Sequence, residues 1–128
     1  MAIPKVISAS TVEGDHVENV EGEDLGKIEE IMIDLDEGAV AYAVLSFGGF
    51  LGIKDKLFAI PWKALSKNPD SHNFVLNVDK ETLEKAPGFN KDAWPGTYEK
   101  DVKKFVSEIS DYYGYEPYWM HNPGKFNK

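Results

Sequence analysis

Asp34-Leu-Asp-Glu-Gly38 is the first place in this chain where side chains could hold a ligand. Three acidic residues close together and then a glycine is how a calcium loop begins. An EF-hand loop runs on to a bidentate glutamate at its twelfth position. Counted from Asp34, that position is Leu45, so the segment reads as an acidic hairpin turn. His16, His72 and His121 are the only histidines, and none is paired at the i, i+4 spacing of helical zinc ligands. The chain has no cysteine, which removes thiolate metal sites, thiol nucleophiles and disulfides. No metal site is expected. Ser46 precedes Gly48-Gly49, but a nucleophile elbow needs glycine two residues before the serine, where this chain has Val44. Gly48-Gly49-Phe-Leu-Gly52 lacks the Gly-Lys-Ser/Thr ending of a phosphate loop. These glycines read as turns, and no catalytic residue or cofactor is assigned.

Aromatic residues are the more informative group. Five of the six tyrosines lie between Tyr98 and Tyr118, with Trp94 and Trp119 beside them. Tyrosine and tryptophan are enriched where proteins bind one another. Trp94, Tyr112, Tyr113, Tyr115, Tyr118 and Trp119, together with the apolar turn residues Phe50, Leu51 and Ile53, form the candidate interaction surface. The same aromatics suit the completion of the chain's own core, so docking in cis and in trans both remain open.

The elements that must position these residues follow from periodicity. Ser10-Thr-Val-Glu13 has capping-box form and predicts one short helical turn. His16–Val20 reads as a first strand and Leu25–Leu35 as a second. The two-residue alternation of the second strand slips between Leu25 and Ile31, as a β-bulge would cause. Ala39–Phe47 is a third strand with apolar residues on both faces, which predicts cover on both sides. Lys56–Trp62 is a fourth, with Phe58, Ile60 and Trp62 on one face and Leu57 and Ala59 on the other. Phe74, Leu76 and Val78 mark a fifth. Asp79 caps a helix over Lys80–Ala86 that Pro87-Gly88 stops. Residues 89–96 read as a loop. A second helix follows, with Thr97 as its cap and Tyr98, Val102, Phe105, Ile109 and Tyr112 as its apolar positions, and Gly114 ends it.

At Gly22–Leu65 the chain resembles the PRC-barrel domain family. The residues that carry the resemblance are Gly22, Leu25-Gly26-Lys27-Ile28, Asp34, and Ala41-Tyr42-Ala43-Val44-Leu45-Ser46-Phe47-Gly48-Gly49-Phe50-Leu51-Gly52. Asp55-Lys56, Ile60-Pro61-Trp62 and Ala86-Pro87-Gly88-Phe89 complete the set. Relatives commonly carry glycine where this chain has Lys54. Tyr112–Trp119 is similar to C-terminal extensions on some stand-alone members. The resemblance implies a mainly β fold: a small barrel of five or six strands, a short helix after the last strand, and a C-terminal amphipathic helix. It implies a barrel domain over residues 1–89 and an extension over 90–128 that packs on the barrel or on a partner. It also implies an assembly or docking role, with no catalytic motif to transfer.

Composition narrows the partners. The 128 residues suit one domain, and 42% hydrophobic with 28% charged residues is ordinary for a soluble protein. Net charge is −8, and Glu13–Gly38 holds eleven acidic residues against the single Lys27. Such a surface repels nucleic-acid backbones, and the chain has no arginine with which to read phosphate. No apolar run has the length of a membrane span, and Met1–Ser10 does not read as a signal peptide, so a cytoplasmic location is expected. The expectation is a non-catalytic protein-interaction module, a homodimer whose other protein partners are unknown. A ligand-binding or enzymatic barrel with its site near the C-terminal tyrosines, Trp62 and His121 is one alternative. A ribosome-associated factor that docks on a basic protein is another.

Overall fold

The computed structural model describes residues 4–47 and 56–120. Among these residues, seven strands follow in chain order: β1 (His16–Glu18), β2 (Asp24–Asp34), β3 (Ala39–Ser46), β4 (Lys56–Ile60), β5 (Leu65–Lys67), β6 (Phe74–Leu76) and β7 (Gly88–Asn90). The helices are α1 (Ala9–Val12), α2 (Lys80–Glu84) and α3 (Glu99–Tyr113), and short 3-10 turns cover Trp62–Ala64 and Tyr118–Met120.

All seven strands join one sheet in the order β5-β6-β1-β2-β3-β4-β7. This corrects the expected barrel of five or six strands. The sheet has two ends, β5 and β7, and among the described residues they do not pair with each other. The two extra strands are three residues each, and neither closes the sheet. Because β7 follows α2, the short helix does not come after the last strand.

The sheet nevertheless curls. Val17, Leu25, Ile28, Leu45, Phe58 and Phe74 come from five strands that span most of its width, yet they share one buried cluster. Strands far apart in a flat sheet cannot do this. The bend is made by the expected bulge: β2 shifts register between Ile28 and Glu30 against β3, and β1 shifts between Val17 and Glu18 against β2. Gly26 sits at the tight point, with φ at +111°. A Cβ there would press into the Ser46 carbonyl, 3.0 Å from its carbon and 3.1 Å from Phe47 Cα. Leu83 of α2 and Val12 from α1 complete this core.

Both faces of β3 are indeed covered. Tyr42 and Val44, with Leu57 and Ala59 of β4, form a second cluster on the outer face of the sheet. Helix α3 lies on it through Val106 and Ile109, with Val102 and Phe105 at the margin. The small Ala41 and Ala59 let a helix approach closely. The stripe on α3 differs from the expected one at both ends, since Tyr98 is 81% exposed and Tyr112 38% exposed. Tyr98 is the N-cap residue, so the helix begins after it and Thr97 does not cap it. Gly114 ends the helix with φ at +80°. Asp79 caps α2 by accepting a hydrogen bond from the Thr82 N–H, 2.7 Å away, whereas α1 is capped by Ser8 and not Ser10.

Candidate functional site

Helix α3 brings the C-terminal aromatics back to the β2–β3 hairpin. Asp34 ends β2 and organises the turn: its Oδ1 accepts the N–H groups of Asp36 and Glu37, each at 2.9 Å. The acidic segment therefore does turn chemistry, since an aspartate that accepts from the backbone donors two and three residues on mimics a backbone turn. The other carboxylate oxygen of Asp34 accepts a hydrogen bond from the Tyr118 hydroxyl. The tail is thus latched to a hairpin 84 residues earlier in the chain. Partial burial pushes the Tyr118 hydroxyl well above the ordinary tyrosine range, helped by the hydrogen bond to Asp34 and by the charges of Asp34, Glu37 and Asp36. Tyr118 stays a neutral donor at any physiological pH.

The latch leaves a groove of about 500 Å³ between the hairpin, the start of α3 and the tail. Its apolar surface comes from Met32, Tyr42, Val102, Tyr118 and Trp119, with Ile33 and Leu35 at the edge. Four carboxylates line it, from Asp34, Asp36, Glu37 and Glu99, against one ammonium, from Lys103. Lys103 lies 3.9 Å from Glu99 and 5.3 Å from the centre of the Trp119 ring. The Trp119 face therefore already accepts a cation. A smaller cavity of about 170 Å³ lies on the other side of Tyr118, bounded by Trp62, Glu116 and Val106.

The described members of the candidate surface do not gather at one place. Tyr118 and Trp119 meet edge to face beside the groove, with ring centres 5.1 Å apart. Tyr112 and Tyr113 meet edge to face at the far end of α3, where the Tyr112 hydroxyl donates to the Thr82 carbonyl of the α2 region at 2.5 Å. Tyr113 packs against the first core, and burial raises its hydroxyl far above the ordinary range, with a smaller contribution from Tyr112. Tyr115 is 39% exposed. Trp94 packs on Phe89 of the edge strand β7, 5.0 Å between rings. Phe50, Leu51, Ile53 and His121 lie outside the described residues. His16 faces Asp24 at 3.6 Å on the open surface. Among the described residues, no three histidine or acidic side chains come together as metal ligands, and no helix is long and apolar enough to cross a membrane.

Leu35, Met32 and Lys103 carry no local signal for a site. The clues to the groove were the acidic hairpin and the aromatic pair Tyr118 and Trp119, which lie close to each other only in three dimensions.

The PRC-barrel domain family matches residues 4–83, more than half of the chain. This protein belongs to that family. The match ends before β7, α3 and the tail. The groove is therefore built jointly from the family's sheet and from the segment that follows it. No curated protein matches the chain.

Proposed function

We propose that this chain is a non-catalytic protein-interaction module of the assembly type, one that also associates with itself. The observation that carries the reading is the apolar surface around the groove. Leu35 is 92% exposed and Ile33 56%, and both line it. Tyr98 and Met120, also exposed, adjoin the lining residues Thr97 and Trp119 in the chain. Single exposed apolar side chains are ordinary, whereas a set around one concavity marks a contact surface. A groove of ligand size also fits the alternative of a small-molecule site. Of its two tyrosines, however, Tyr118 is bonded to Asp34 and burial raises the pKa of both Tyr118 and Tyr42, so neither hydroxyl offers a substrate a base or a nucleophile.

For self-association we place the contact at the β7 edge. The sheet ends there, and Trp94, 41% exposed, stands over Phe89. An edge strand can pair with its own copy across a two-fold axis. Sedimentation velocity of the full chain across a concentration series tests this. A dimer that Trp94→Ser converts to monomer is expected. A wild-type chain that stays monomeric at all concentrations would remove self-association from the proposal.

A further inference from the structure

We infer that the groove between the β2–β3 hairpin and the aromatic tail receives a basic, partly apolar segment of a partner protein. The inference rests on the interaction reading above and names its contact and chemistry. Charge complementarity selects this occupant. Four acidic residues line the groove against one lysine, an excess of three negative charges that stands although Asp34 is bonded to Tyr118 and Glu99 to Lys103. The chain as a whole carries −8, so a cationic segment is drawn in at long range and an acidic one is repelled. An incoming lysine or arginine meets Asp36 and Glu37 at the rim and aromatic rings at the wall. Lys103 over Trp119 shows the chain's own use of that cation–aromatic contact. The exposed Leu35 and Ile33 require an apolar residue next to the basic one. A purely charged ligand would leave them in water. A purely apolar ligand would strip water from carboxylates without replacing it.

The test is selection from a random dodecapeptide library on phage with the full chain, followed by affinity measurement of the selected peptides at two salt concentrations. Asp36→Lys and Leu35→Ser are the variants. Both residues are exposed, and the bond to Asp34 is made by the backbone N–H of Asp36, which either variant retains. Enrichment of lysine or arginine beside an apolar residue is expected, with binding that weakens with salt. Each variant should lose about tenfold in affinity, the effect of one hot-spot contact. Selected peptides without basic residues, or peptides that bind both variants as well as wild type, would overturn the groove assignment while the interaction reading survives. If Leu35→Ser dissolves a dimer and no peptide is selected, the occupant is a second copy and the inference fails. No selected peptide together with a monomer in the ultracentrifuge would sink both readings.

Discussion

Replacing Gly26 with alanine tests the geometry that lets the sheet curl. Two costs add. The residue sits at φ +111°, outside the regions an L-residue adopts readily, and strain of this kind costs about 1–3 kcal/mol. The new methyl also enters the space of the Ser46 carbonyl. That carbonyl belongs to β3, where Ser46 pairs with both Lys27 and Leu57, so neither it nor its strand can simply turn aside. Forcing extra volume into such a contact costs about 1–3 kcal/mol more. The sum, about 2–6 kcal/mol, is a large part of the ~5–15 kcal/mol that holds a domain together. Gly114→Ala is the matched control. It too has positive φ, at +80°, but a Cβ there meets nothing within 4 Å, so only the backbone cost of about 1–2 kcal/mol remains. Urea denaturation followed by far-ultraviolet circular dichroism reads both. With a slope of roughly 1–2 kcal/mol per molar, the added steric cost of about 1–3 kcal/mol should lower the midpoint of Gly26→Ala by about 0.5–3 M beyond the loss in Gly114→Ala. Equal midpoints for the two variants would refute the claim that the β2–β3 approach at Gly26 is what demands glycine.

Other outcomes bear on the extension and the latch. Ile109→Ala, at a fully buried position between α3 and the outer face of the sheet, should cost about 2–5 kcal/mol in one cooperative transition. A variant that lost α3 in a separate early transition would mean the helix is an independent appendage. Tyr118→Phe removes the hydroxyl bond to Asp34 in a half-exposed setting and should cost only about 1 kcal/mol. It should also change the fluorescence of the neighbouring Trp119, and an unchanged spectrum and stability would count against the latch. Stability should fall at alkaline pH. Burial raises the hydroxyl pKa of Tyr42, Tyr113 and Tyr118 above the usual value, so between the unfolded and folded pKa the native state holds protons that the unfolded state has lost. The stabilisation is thus complete below about pH 10 and is lost as pH rises above it. Phenolate absorbance and denaturation recorded from neutral pH upward check the sign. Stability that held or rose through that window would contradict it.

Periodicity in the chain was enough to determine β2, β3, β4 and α3. Each buries a face long enough to leave an alternating or helical pattern, and both covered faces of β3 were legible as apolar residues at odd and even positions. The Asp79 cap and the phase slip in β2 were legible for the same local reason, since each acts within a few residues. Strands β5 and β7 were not. Neither carries an apolar alternation like that of Phe74, Leu76 and Val78 at β6, and Leu65–Lys67 and Gly88–Asn90 are strands because β6 and β4 pair with them. Whether the sheet closed was equally hidden, because closure depends on where the two end strands arrive after every bend has accumulated. The groove belongs to the same class. Asp34 read as a turn residue and Tyr118 as part of an aromatic tail. Their hydrogen bond, and the joining of an acidic rim to an apolar wall, exist only because α3 docks on β3 and β4 and returns the tail to the hairpin.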